Sequence, residues 1–280
     1  YDYTYDIMGR VATMRTGGVT TTYGHDLLGQ LTSLTAPGRS IQYQYDPAGN
    51  RVSVNDNGAV TPYVTNNRNQ YTNIGPDSFT YDADGNLATR VVGGSTTTYN
   101  FDPIGRLAGI SGPGGASSFA YDALSERIGS TVSGVTTRDL VDPISRFVFA
   151  TFDATGATVA HYPLGIGVVG RVAADGSAAY FDYDSIGSTV GLTNAAGSYI
   201  NRYSYQPFGA TTTISAGLTN PFTYVGRYGV STNADGTLQM RARSYDPATG
   251  QFLSNDPLGL GGGDTNTRRY VNNDPLNAID

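Results

Sequence analysis

The acid and base chemistry open to this chain is that of aspartate. Of 23 acidic residues, 22 are Asp and one is Glu126, set against 17 Arg, no Lys, two His and no Cys. The missing cysteines exclude a thiolate nucleophile, a Cys-built zinc site and a disulfide scaffold. His25 and His161 stand apart with no Cys or Glu partner, which is not the pattern of a structural zinc site. The run Gly165-Ile166-Gly167-Val168-Val169-Gly170 spells G-x-G-x-x-G, yet a dinucleotide fingerprint needs a strand before it and a helix opening at it. Arg171-Val172-Ala173 followed by Asp175-Gly176 predicts another hairpin instead. Asp82-Ala83-Asp84 and Asp182-Tyr183-Asp184 are the densest carboxylate clusters, and neither continues into a calcium loop. No metal and no cofactor are expected. Two uses remain for Asp: the turn, where its side chain bonds the backbone two residues on, and paired-carboxylate catalysis. In such a pair both groups cannot ionise cheaply, so one keeps its proton as an acid while the other activates water.

The spacing of the elements that hold these residues favours the turn for most of them. Tyr5-Asp6, His25-Asp26 and Tyr45-Asp46 recur every 20 residues, and after a longer insertion so do Tyr81-Asp82, Phe101-Asp102, Tyr121-Asp122 and Val141-Asp142. That period lies in the range of repeat architectures. Gly usually stands three residues after the Asp, as at Gly9, Gly29, Gly49, Gly85 and Gly105, and Arg10, Gln30, Asn50, Asn86 and Arg106 follow it. Asp at the first position of a type I turn, with Gly where a positive φ is needed, predicts a hairpin turn closed by a bulge. Flanking segments such as Ile41-Gln42-Tyr43-Gln44-Tyr45 alternate, and Thr16-Gly17-Gly18, Ala36-Pro37-Gly38 and Val92-Gly93-Gly94 mark a second turn. Each repeat therefore predicts one β-hairpin, with equivalent tyrosines meeting across strands as an aromatic row. The lack of Lys and the single Glu argue against long exposed helices. The fold class is all-β. Tyr, Ala and Thr at many apolar positions point to an extended, curved sheet wetted on both faces rather than to a compact core.

These Tyr-Asp-x-x-Gly-Arg repeats resemble the YD repeats of bacterial Rhs proteins, of the C subunits of tripartite insecticidal toxin complexes and of teneurin shells. The second half carries the likeness further. Tyr183-Asp184-Ser185-Ile186-Gly187, Tyr203-Ser204-Tyr205-Gln206-Pro207-Phe208-Gly209, Asn220-Pro221-Phe222-Thr223-Tyr224, Arg243-Ser244-Tyr245-Asp246-Pro247, Asn255-Asp256-Pro257-Leu258-Gly259-Leu260 and Tyr270-Val271-Asn272-Asn273-Asp274-Pro275 are similar, in order, to the Rhs core-associated region. The resemblance implies a continuous spiralling sheet that forms part of a hollow shell around a toxic C-terminal segment. It also implies one chemistry, an aspartic-type self-cleavage that detaches this cargo. Matched to the family's Arg…Asp…Asp arrangement, the implied catalytic residues are Arg243, Asp256 and Asp280. The two carboxylates would divide the acid and base roles, and the guanidinium would hold one of them ionised or steady the developing oxyanion. In the family the core ends with Asp-Pro-x-Gly-Leu and the cut follows it; Asp280 matches that Asp by position, which puts the cut just beyond it. The plainer reading stays beside this one: Asp-Pro-Leu-Gly is also a turn, and an Arg on a strand also pairs with a neighbouring Asp.

By sequence style the chain divides into YD-repeat hairpins over residues 1–150 and the core-associated segment over 151–280, both in one continuous sheet. The expected partners are the toxin cargo, the rest of the shell and neighbouring shell chains. A net charge of −6 without a basic block excludes a phosphate-tracking surface for nucleic acid. There is no apolar run long enough to span a membrane and no signal-like start, and the chain opens in mid-pattern, as a piece of something longer would. The resemblance implies a secreted or cell-surface bacterial protein. The alternative is an extracellular structural or adhesive YD-repeat module, self-assembling or glycan-binding, with no catalytic activity.

Overall fold

The computed structural model describes residues 1–280, with 51% of the chain in strand and 4% in helix. It is all-β and built of hairpins, as expected. Contacts divide it into two compact units, Tyr1–Thr96 with Gly250–Asp280, and Thr97–Thr249. In the first, every strand from Asp2–Tyr5 to Leu87–Val92 pairs antiparallel with the next along the chain. In the second, the same meander runs from Leu107–Gly112 to Thr211–Ala216. Its only detour is the small hairpin Leu164–Gly165 with Gly167–Val168, after which Thr158–His161 pairs with Gly170–Ala173. No helix is long and apolar enough to cross a membrane.

Asp builds one end of most of the hairpins. In Asp46-Pro47-Ala48-Gly49-Asn50, Asp46 Oδ1 accepts from the N–H of Ala48 and of Asn50, both at 2.9 Å, and its carbonyl accepts from Gly49 N–H at 2.9 Å. Gly49 takes φ +78°, the left-handed region open to Gly, and the register slips by one residue beside Tyr45. The opposite end is often a two-residue turn with both φ positive, as at Asn57 (52°) and Gly58 (92°), whose twist suits that of the flanking strands. The longer insertion is in fact another repeat. Asn66-Asn67-Arg68-Asn69-Gln70 closes the same way, Asn69 N–H donating to Asn66 O at 3.2 Å with Asn69 at φ +58°. Asn offers the same Oδ1 acceptor as Asp and tolerates the left-handed region, so a repeat without Asp or Gly escaped the pattern.

The tyrosine before the Asp adds a bond as well as ring contacts. Tyr45 Oη donates to Leu31 O at 2.8 Å, Tyr121 Oη to Leu107 O at 2.8 Å, and Tyr81 Oη to Tyr71 O at 2.9 Å. Each ring thus spans to the first residue of a strand that follows an earlier turn, and its hydroxyl fixes the spacing of successive hairpins. Contrary to the expectation of a sheet without a compact core, the second unit holds an apolar cluster of Tyr162, Val168, Phe181, Leu192, Tyr203 and Phe222 with flanking alanines.

Candidate functional site

At several turns the residue after the turn glycine links one turn to the next. Asn50 Nδ2 donates to Asp46 Oδ2 (3.0 Å) and to Asn69 Oδ1 (2.9 Å), and Gln70 Nε2 reaches Gly85 O (3.1 Å). Where it is Arg, Arg10 Nε meets Asp6 Oδ2 at 2.7 Å and Nη1 reaches Asp26 O at 2.9 Å. Gln30, Asn50, Gln70 and Asn86 are buried, so the row needs a polar cover.

Within the first unit, residues 250–280 supply it. Asn266 Nδ2 donates to Asn50 Oδ1 (2.9 Å) and Ala48 O (3.1 Å), and Asn273 Nδ2 to Gln30 Oε1 (2.9 Å) and Gly49 O (2.8 Å). Gln251 Nε2 reaches Asn69 O at 3.1 Å, and Asn277 Oδ1 accepts from Val11 N–H at 2.8 Å. Arg268 lies fully buried over the Tyr81 ring, 4.9 Å from its centroid, and donates through Nη1 to Phe252 O at 3.1 Å. Burial lowers its pKa to about 10. This strap carries Asp256 and Asp280, and sequence reasoning missed its role. The available signal was the density of Asn among residues 255–277.

Asp256 repeats the turn geometry. Its Oδ1 accepts from Leu258 N–H (2.8 Å) and its carbonyl from Gly259 N–H (2.9 Å), while its own N–H donates to Thr267 O (3.0 Å). It differs from the repeat turns in that its N–H goes to Thr267 O and not to the carbonyl of the fifth residue, which here is Leu260. The loop after the turn passes close to Asp256 Oδ2 at Gly262, where a Cβ would lie 3.0 Å away. Asp256-Pro257-Leu258-Gly259-Leu260 also spells Asp-Pro-x-Gly-Leu, the element expected to start at Asp280. Asp280 is exposed, in the same unit.

Arg243 belongs to the second unit, on the strand Arg243–Asp246, buried and opposite Met240. Beside it is a small void of about 10 Å³ walled by Arg106, Tyr121, Arg241 and Arg243. The other flagged residues have structural places. Gly165 to Gly170 forms the small hairpin and no helix follows; Gly167, at φ +92°, passes so close to Arg227 O that a Cβ could not fit. His25 sits in the tyrosine slot as a buried ring, Nε2 3.6 Å from Asp274 Oδ1. His161 ends the strand Thr158–His161, edge-on to Phe149 with centroids 6.4 Å apart. Asp82 is the Asp of a turn, its Oδ1 accepting from Asn86 N–H at 2.8 Å, and Asp184 is another, accepting from Ser188 N–H at 2.7 Å.

Residues 1–270 match the family described as the teneurin YD-shell. No curated protein matches the chain. Among solved structures, it is similar to the Photorhabdus luminescens Tc holotoxin pore with a TccC3 mutation, at 17% identity and a TM-score of 0.53, over 100% of this chain and 19% of that one. It is similar to TcdB2-TccC3-Cdc42 at 18% identity and a TM-score of 0.51, over 99% of this chain and 19% of that one. For TcdB2-TccC3-TEV the values are 17% and 0.51, over 100% and 19%. The chain thus spans about a fifth of the length of these structures, and the likeness is one of fold.

Proposed function

The chain belongs to the teneurin YD-shell family, and from that premise we propose that it is a segment of a hollow protein shell that encloses a polypeptide toxin. The observation that carries the reading is the family match over residues 1–270, on a chain whose hairpin repeats continue to Ala216. In this reading the hairpins of residues 1–150 form wall, and residues 151–280 add wall together with the strap that closes over the turns. The similar structures named with Cdc42 or TEV beside TcdB2 and TccC3 support a second polypeptide accompanying such a shell. The cargo, the rest of the shell and neighbouring shell chains are its partners, and it acts outside the cell that makes it.

Its one chemistry is self-cleavage by Asp256, Asp280 and Arg243, just beyond Asp280. The ionised carboxylate takes a proton from water, the water oxygen attacks the scissile carbonyl, and the protonated partner gives its proton to the carbonyl oxygen, with a proton then passing to the leaving amine. In this reading the Arg243 guanidinium would hold one carboxylate ionised or steady the developing oxyanion. The test is mass spectrometry of the full-length product beside its Asp256→Asn, Asp280→Asn and Arg243→Gln variants. A discrete C-terminal fragment from the wild type, lost in both Asp variants, is expected. A fragment that persists in them, or a wild-type chain that stays intact, overturns the protease and leaves the shell fold standing.

A further inference from the structure

Within the second unit the strand Thr211–Ala216 pairs with Tyr199–Tyr205 at the end of the meander, and all six of its residues are exposed. An edge strand of this kind presents a row of main-chain N–H and C=O groups, and proteins usually blunt such edges with charge, proline or a bulge. Thr211-Thr212-Thr213-Ile214-Ser215-Ala216 has no charge and no proline. It has one bulge, at Ile214, since Tyr203 faces Thr213 and Arg202 faces Ser215, and Thr211 to Thr213 stay in regular register. Its composition is four β-branched residues in six, which favours strand pairing.

Beside this edge, within the second unit, is a groove of about 710 Å³. Tyr203, Thr211 and Thr213 form one side, and the chain that leaves the strand returns as the other through Leu218, Asn220 and Thr232. No lining residue is charged. Its amides are already bonded inside the fold: Asn220 Nδ2 donates to Phe222 O at 2.8 Å, and Asn233 donates to Thr237 Oγ1 at 2.9 Å while accepting from Arg127 Nη1 at 2.8 Å. Thr223 and Thr232 share a hydroxyl bond of 2.6 Å. A saccharide or other small polar ligand would need those groups. The open polar groups are those of the backbone edge, and they suit another backbone.

We propose that the open edge of Thr211–Ala216 is an acceptor site for an extended, uncharged, β-branched polypeptide strand of another chain, held by main-chain hydrogen bonds with alternate side chains seated in the groove. The neutral lining sets the chemistry: a charged side chain placed there would lose water without gaining a counter-charge. This inference does not depend on self-cleavage.

The experiment adds the neutral hexapeptide acetyl-TVTITV-amide to the chain and follows amide hydrogen exchange over residues 211–216. Two control peptides accompany it, one N-methylated at alternate residues so that one of its edges cannot pair, and one with Lys at the groove-facing positions. At least tenfold slower exchange at alternate amides is expected with the neutral peptide and with neither control. Thr212→Pro, placed on the exposed edge, should abolish the effect; the peptide controls keep the test decisive if that variant does not fold. Equal protection by the N-methylated peptide, or no protection by any, overturns the proposal. So does protection without peptide that grows with protein concentration, because the occupant would then be a second copy of this chain.

Discussion

The two compact units cover their hairpins in different ways, and the residue after the turn glycine accounts for the difference. In the first unit, after Arg10, it is Gln30, Asn50, Gln70 or Asn86, amides that stay buried, and Asn50 and Gln70 reach the next turn. The covering strap answers in kind, with Asn266 and Asn273 each giving two hydrogen bonds. In the later turns of the second unit the same position is Ala157, Ser177, Ser188, Ser198 or Ala210. These short side chains leave space that aromatic rings fill. The Tyr162 and Phe222 rings meet edge to face at 5.0 Å, and Gly209 passes so close to the Tyr224 ring that a Cβ would lie 2.7 Å from it. A polar ladder requires a polar cover and a row of small residues permits an apolar one, so one architecture can carry either.

The comparison breaks most severely at Phe222. Its truncation to Ala leaves a cavity in the cluster of Tyr162, Phe181, Leu192 and Tyr203, at a cost of ~3–5 kcal/mol. Denaturant unfolding of Phe222→Ala should show a loss of that size, with hydrogen exchange rising first over residues 158–224. A loss no larger than a surface substitution gives would mean that the cluster does not hold the second unit's cover. Asn273→Ala is the matching cut in the first unit. It leaves Gln30 Oε1 and Gly49 O without their shared donor, and two buried acceptors losing one amide cost ~1–3 kcal/mol. Faster exchange confined to residues 250–280 and the turns near Gln30 and Gly49 is the expected signature. An unchanged exchange pattern would mean that the strap is held by its apolar residues, Phe252 and Tyr270, as its counterpart is.

Much of the wall was legible in the sequence, because each turn states its own geometry within five residues. Asp6, Asp26, Asp46, Asp82, Asp102 and Asp122 all proved to be turn residues for the reason read from their spacing. Asn66 was missed because the same geometry can be met by two other side-chain choices, so the motif was hidden although the physics was not. The strap was illegible for a different reason. Asn266 and Gln30 take part in one network over 200 residues apart in sequence, and no local pattern encodes which distant groups a side chain will satisfy. The candidate site shares this limit. Asp256 looks like any Asp of a turn, and Arg243 looks like any Arg on a strand. The likeness to a family, and not the spacing, joined those residues to Asp280.

The finest test of the comparison lies in a single turn position. Asp102 and Asp184 open similar turns, but Asp102 is followed at the fifth place by Arg106 and Asp184 by Ser188. For Asp102, burial pushes the carboxyl up, and the Arg106 backbone bond, side-chain bond and charge more than reverse this, so its pKa lies below the usual value. Asp184 has no such cation; burial dominates its backbone hydrogen bonds and raises it to about 6. Between the ordinary carboxyl value of 3.8 and about 6, the folded chain keeps the Asp184 proton that the unfolded chain has released. Stability from this group is therefore full at low pH, falls as pH rises through that window and stays lowered above it. Asp184→Asn retains an Oδ1 to accept from Ser188 and Ile186 but has no charge to bury. At pH 7 it should be more stable than the parent by ~1–2 kcal/mol, and its stability should lack the parent's decline between pH 4 and 6. Asp102→Asn should go the other way, losing stability above pH 4, where its carboxylate is held by Arg106. Equal pH profiles for the Asp184→Asn variant and its parent would mean that the second unit's aromatic cover leaves this turn wet, and that the two covers differ in side-chain type but not in dryness.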